Sequence, residues 1–343
     1  MLFARAASLG LSPADNTYYR ASNALFDEDA PYANELAREA KRLDPDNPRT
    51  DELLDRAQRL LRPRATFSPH GWTDNAGRSF AEYELKASTF LQENLSAQAS
   101  VSDLWWKSDH NSLHGHAVGI GLRYFPFKQH WLDLMVRDVQ PDSGSSFMEA
   151  RAAWRGVYSV DPLRINGPYT LSYSRQSIET AESVKKGVYA DRLGLNTEAR
   201  ILDWGVLQAE IFGTQRTDGN RTVGGTVSPR YIVWDKPQLQ IGYLFSAADS
   251  DRNPADYYAP QEYVNHMAVA SFDVALFDQM HVRGFAGYGT AISKDKNWEQ
   301  VLRYSLDLNW VPADNWSLAL GYRRMELPDY NMDEYSLNLQ YVF

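Results

Sequence analysis

The chain has 343 residues, enough for one large domain or two smaller ones, and no cysteine, which excludes disulfides and thiolate metal sites. A net charge of −9 argues against nucleic acid as a partner, because phosphate binding favours a basic surface. Mean hydropathy is −0.50, and no apolar run reaches the roughly 18 residues of a membrane-spanning helix. A transmembrane barrel remains open, since only alternate residues need to face lipid. The 20 Tyr and 10 Trp point the same way, because both residues favour strands and membrane–water interfaces.

At the N-terminus no charged stretch leads into an apolar one, so an exported protein would be met here as a mature form or, as we expect, a fragment of a longer chain. Residues 1–63 read as helical and 64–343 as strands. Ser12-Pro13-Ala14-Asp15 has the pattern of an N-cap with Pro at the first helical position, and Asn16 to Phe26 continues without Gly or Pro. A second helix is expected from Tyr32 to Leu43, with Ala33, Leu36, Ala37 and Ala40 on one face, ended by Asp44-Pro45-Asp46-Asn47-Pro48. A third runs from Thr50 to Leu61. Ala21, Ala33, Ala40 and Pro45 fall where a tetratricopeptide repeat of about 34 residues places its small and terminating residues. An ordinary helical hairpin is the simpler alternative.

From Arg64 the period changes from helical spacing to strict alternation, as in Tyr335-Ser336-Leu337-Asn338-Leu339-Gln340-Tyr341 and Tyr304-Ser305-Leu306-Asp307-Leu308. Roughly 16 strands of membrane-spanning length are expected. They begin near Thr66, Phe80, Leu95, Gly115, Trp131, Ser146, Tyr169, Gly187, Trp204, Arg221, Gln238, Tyr263, His281, Glu299, Trp316 and Asp333. Pro229 is expected to mark a bulge. Short connections such as Gln92-Glu93-Asn94, Pro126 to His130 and Asp235-Lys236-Pro237 alternate with longer ones, Ser108 to His114, Ile178 to Lys186, Ala247 to Glu262 and Ser293 to Asn297. Such asymmetry separates an outer-membrane barrel from a soluble sandwich. Val160 to Pro168 and Glu198 to Asp203 are long for the short-turn side. Trp131, Trp204, Trp234, Trp310 and Trp316 all adjoin short turns, as an interfacial aromatic girdle would. The expected fold is mainly β, a transmembrane antiparallel barrel preceded by a short helical segment.

If the Leu/Tyr face meets lipid, the opposite face lines a lumen carrying Arg123, Asp133, Arg137, Arg151, Arg155, Glu210, Arg230, Asp307 and Arg323 as candidate substrate-binding groups. Glu84, Lys86, Glu149, Arg192, Asp273 and Arg303 share that face. Mixed signs suit a hydrated path for a polar, mostly neutral chain; cross-strand pairing that only stiffens the wall is the plainer reading. No catalytic constellation, cofactor motif or phosphate-cradling loop is found. His110, His114 and His116 read as a solvated loop and not a metal site. Asp249, Asp251 and Asp256 read as solvated and not as a Ca²⁺ site. His266 or His281 beside a Ser or Asp would be the starting point for an outer-membrane hydrolase.

The order of parts, tetratricopeptide-like helices, the Arg62-Pro63-Arg64 linker and a set of strands ending in Phe343, resembles the outer-membrane exopolysaccharide export porins of the poly-N-acetylglucosamine and cellulose type. The resemblance implies export of a polysaccharide, as in biofilm formation by Gram-negative cells, with helices in the periplasm and possible periplasmic or inner-membrane synthase partners. Lipopolysaccharide and lipid around the barrel, and the barrel assembly machinery reading Phe343, are further implied partners. A general porin or a phage-type surface receptor, with function in the loop Ala247 to Glu262, is the alternative.

Overall fold

The computed structural model describes residues 12–26, 29–108, 111–160, 165–202, 204–277, 279–327 and 330–343. Three helices come first: α1 (Pro13–Phe26), α2 (Ala30–Leu43) and α3 (Pro48–Leu60). Each start is capped as the sequence dictates. Ser12 Oγ accepts the Asp15 amide at 3.1 Å, Asp29 accepts that of Tyr32, and Asn47 accepts that of Arg49. The helices pack through Ala21, Ala24, Ala33, Leu36, Ala37, Leu53 and Ala57, mostly small side chains that let the axes approach. Ala40, the third expected small position, is fully buried as well.

Sixteen strands follow and close into a barrel in simple up-and-down order, with β1 (Arg64–Asp74) paired to β16 (Tyr330–Val342). Closure pairs each strand on both sides and leaves no free sheet edge. The remaining strands are β2 (Ser79–Gln92), β3 (Leu95–Lys107), β4 (Ser112–Phe127), β5 (His130–Pro141), β6 (Phe147–Val160), β7 (Ile165–Ser177) and β8 (Tyr189–Ile201). They continue with β9 (Gly205–Arg216), β10 (Arg221–Asp235), β11 (Gln238–Ser250), β12 (Tyr263–Phe277), β13 (Met280–Ile292), β14 (Glu299–Ala313) and β15 (Trp316–Leu327). A five-residue helix, α4 (Ala181–Lys185), lies in the β7–β8 connection.

Alternation sorts each strand between two faces. The outward face carries Leu85, Val101, Val118, Ile120, Leu193, Ile211, Ile241, Leu306 and Leu320, all exposed, with Ile120 at 68%. A surface this apolar around a whole barrel is built for a hydrocarbon environment. Trp204, Trp234, Trp310 and Trp316 are exposed near the short turns, forming one belt. Trp131 does not join it. At 6% exposure it points inward, because it shares parity with Asp133 and Arg137 on β5, and it packs near Phe125.

The sequence-based bounds need four corrections. The strand ladder runs through Pro229 without a shift, and the irregularity in β10 lies at Ile232/Trp234 instead. That shift and those at Phe90/Gln92, Tyr124/Phe127, Ala275/Phe277 and Trp310/Ala313 all sit just before or after short turns. Bulges at a rim re-aim side chains, and here they leave Trp234, Phe127 and Phe277 outward. The two connections expected to be long on the short-turn side shrink to residues 161–164, outside the described residues, and 202–204, because the flanking strands extend further. The connection expected from Ser108 to His114 also shortens, since β4 begins at Ser112. The longest loop likewise begins only after Ser250, where β11 ends.

The helices meet the barrel at its short-turn end. Asp29 accepts the Gln129 amide at 2.6 Å, Lys128 pairs with Glu35 at 2.8 Å, and Arg59 with Asp314 at 3.0 Å.

Candidate functional site

Every lumen candidate named above has the inward parity of its strand. On the β1–β7 side, Arg123 donates to Asp133 at 2.5 Å, and Arg155 lies 3.7 Å from the same carboxylate. Arg137 on β5 reaches Glu82 on β2 at 2.6 Å and lies 3.7 Å from Glu149 on β6. The reach to β2 crosses two strands, possible because Ser100 and Gly119 present almost nothing inward; a Cβ on Gly119 would sit 2.8 Å from Arg137 Cγ. Arg151, with Glu84 and Lys86, lines the same cavity of about 380 Å³. On the other side Arg192 pairs with Glu210 at 2.6 Å and stacks on Phe212 at 3.9 Å. Arg230 donates to Gln208 at 2.7 Å, and Arg323 pairs with Glu334 at 3.2 Å. Glu210, Arg230, Arg303 and Arg323 share a cavity of about 300 Å³ with Phe285, whose ring lies under the Arg230 and Arg303 guanidiniums. Asp307 lines a third cavity of about 230 Å³, opposite Arg283, which donates to Asp273 at 2.7 Å.

Both readings of these charges therefore have a physical basis. Arg123, Arg137, Arg155, Arg192 and Arg323 are paired across strands, which stiffens the wall. Lys86, Arg151 and Arg303 have no carboxylate within ion-pair distance among the described residues and present charge to the lumen. Glu82 and Glu334 complete the pairs and were missed from sequence, although each shares parity with lumen residues already identified on its own strand or its neighbour.

The largest feature not anticipated is a cap at the end opposite the helices. The β7–β8 connection folds inward, and Ala181 and Val184 of α4 are buried against Phe80, Leu104, Trp106, Leu113, Val139 and Phe147, which face the lumen from β2 to β6. Polar contacts fasten it: Trp72 Nε1 donates to Glu179 at 2.7 Å, Ser108 and Asn111 donate to Glu182, and Lys185 donates to Asn111 at 2.8 Å. Burial raises the Glu179 carboxyl above its ordinary value, opposed by the Trp72 hydrogen bond. The β11–β12 loop also turns in. Tyr257 and Ala259 are buried with Val188, Tyr257 donates to Asp218 at 2.7 Å, and Tyr258 stacks on Tyr330 at 4.3 Å. Asp249, Asp251 and Asp256 are spent separately on the Glu262 amide, the Arg221 amide and Lys186, not gathered for a cation.

His281 lies beside Asp273 at 3.8 Å near the short turns, whereas His266 faces outward against Tyr243, Phe245 and Trp298. Among the described residues, no serine is a partner of either. His114 and His116 belong to β4, not to a loop, and also face outward; His110 lies outside the described residues.

No protein-family profile matches the sequence, and no curated protein matches it. Among solved structures, a bacterial polysaccharide outer membrane secretin superposes with a TM-score of 0.65 at 12% identity, covering 81% of this chain and 98% of that one. CdiB from Acinetobacter baumannii gives 0.45 at 11% identity over 82% of this chain and 60% of its own. Pseudomonas aeruginosa OpdQ gives 0.43 at 10% identity over 82% and 98%. At 12% identity the likeness to the secretin is one of fold. The protein has the fold of an outer-membrane β-barrel.

Proposed function

We propose that the protein is an outer-membrane channel through which a secreted polysaccharide passes from periplasm to cell surface, its chain guided by the polar inner wall. The observation that carries this reading is the inner face itself. Side chains of both signs, interleaved with Ser, Asn and Gln, line cavities on both sides of the barrel, while the outer face is apolar. A hydroxyl-rich polymer exchanging hydrogen bonds along such a wall is never stripped of partners, and no single strong site holds it. The fold shared with a polysaccharide secretin over most of both chains supports the same assignment. In this reading the helices form a tetratricopeptide-like platform for periplasmic or synthase partners, and polymer synthesis supplies the driving force.

The test is conductance of the purified protein in planar bilayers with neutral, cationic and anionic oligosaccharides added to either side. Reversible block by one class supports guided export and names the charge of the substrate. An open pore indifferent to all three identifies a general porin and refutes the proposal. The receptor reading is less favoured because the β11–β12 loop buries Tyr257 and Ala259 inward instead of displaying them.

A further inference from the structure

We propose that Asp103, His114 and His116 form a divalent transition-metal site, best suited to Zn²⁺, on the outer face of the barrel near the end opposite the helices. The sequence motif His114-Gly115-His116 places two imidazoles on one face of β4, since residues two apart along a strand project to the same side. The register of β3 against β4 then sets Asp103 directly opposite His116, and Trp105 opposite His114. The three donor groups lie within 4.8 Å of one another. Asp103 Oδ1 is 2.6 Å from His114 Nε2 and 3.2 Å from His116 Nδ1. Metal–ligand bonds of about 2.0–2.1 Å in a tetrahedron put neighbouring donors about 3.3 Å apart. The His116–Asp103 spacing already meets that, and the His114–Asp103 spacing has to open by under about 1 Å.

The supporting groups distinguish this cluster from a chance gathering of polar side chains. His114 turns its other nitrogen to Asp142 Oδ2 at 3.0 Å, which fixes the ring so that Nε2 faces the centre. Trp105 Nε1 donates to Asp103 Oδ2 at 2.8 Å, which holds the carboxylate with Oδ1 turned toward the imidazoles. The indole also lies against the His114 ring, with centroids 4.3 Å apart. A carboxylate behind a ligating imidazole and a hydrogen bond behind a ligating carboxylate are the partners that orient metal ligands and sharpen their affinity. Two nitrogens and one oxygen suit Zn²⁺ better than Mg²⁺ or Ca²⁺, which take oxygen shells. Three protein ligands leave a fourth position open on the exposed side of His116. The site is on the opposite side of the wall from the lumen, so it is independent of what the channel carries.

The experiment uses the full chain in detergent micelles, carrying no polyhistidine tag, treated with chelator and titrated with ZnCl₂ by isothermal titration calorimetry. One saturable site per chain is expected, lost or weakened at least tenfold in Asp103→Asn and in His116→Ala. Asp142→Asn should weaken it about 10–100-fold through the supporting hydrogen bond. His281→Ala, at the far end of the barrel, should leave it unchanged. Heat-modifiable gel mobility verifies that each variant is a closed barrel. Zinc-edge X-ray absorption should report two imidazole ligands. Absence of a saturable site in the folded wild-type protein overturns the proposal, as does equal affinity in wild type, Asp103→Asn and His116→Ala.

Discussion

Replacing Val184 with Asp should release the cap from the lumen. Val184 is 1% exposed and packed among the inward aromatics of β2 to β6. Loss of its burial removes about 1.5–3 kcal/mol from docking of the loop. Keeping a carboxylate in that apolar cluster costs several kcal/mol more. The lost burial alone shifts the docked-to-undocked ratio by about tenfold or more, at roughly 1.4 kcal/mol per decade. The carboxylate penalty shifts the ratio further toward the undocked loop. The barrel ladder is untouched, because α4 contributes no strand pairing. Two assays read the change. Single-channel conductance should rise as the lumen widens, and trypsin added at the cap end should cleave after Lys185 or Lys186, while Val184→Leu should resemble wild type in both. A folded Val184→Asp barrel with unchanged conductance and unchanged trypsin resistance would refute the assignment of α4 as the plug.

Four further outcomes follow from the same geometry. Glu179 is raised by burial, so the docked loop binds a proton more tightly than the undocked one; docking is fully favoured below the ordinary carboxylate value near 4.5 and weakens as pH rises through the raised value. Conductance should therefore increase as pH rises from about 4.5 through the raised value and then level off, and Glu179→Gln should flatten the dependence toward the closed state; a profile unaltered by the substitution contradicts it. Asp133→Ala removes the carboxylate shared by Arg123 and Arg155 and adds one positive charge to the wall, so the reversal potential in a KCl gradient should move toward anion selectivity. Arg151→Glu should move it the other way, by more, since the wall changes by two charges. Ile120→Arg, halfway along β4 on the outer face, should destabilise the barrel by about 2–4 kcal/mol in urea titrations in vesicles, whereas the lumen substitution Asn309→Arg beside Asp307 should cost far less.

The strands were legible because a wall between an apolar and an aqueous phase must alternate, and that pattern is written locally in each segment. Every expected strand start falls within four residues of the observed one, the widest gap being Tyr169 against Ile165. The same alternation placed Arg123, Arg137 and Arg323 on the inner face. It also carries the signal that Trp131 points inward, since Trp131 has the parity of Asp133; closeness to a turn does not change the side on which a strand residue projects. Pro229 lacks an amide yet needs no bulge, because the strand pairs regularly with β9 on one side and keeps its register with β11 on the other.

Composition and alternation, read from the sequence by itself, determined that this chain makes a closed β-wall with an apolar outside and a charged inside, because side-chain direction follows from the backbone pleat of each strand alone. Tertiary structure decided everything that joins residues distant in the chain. Arg137 meets Glu82 only after two intervening strands are set in register. Trp72 meets Glu179 only when a loop turns back into the barrel. Asp103 meets His116 only at one pairing of β3 with β4, and a slip of one residue would send them to opposite faces of the wall. Those contacts depend on register and closure, which no local segment encodes.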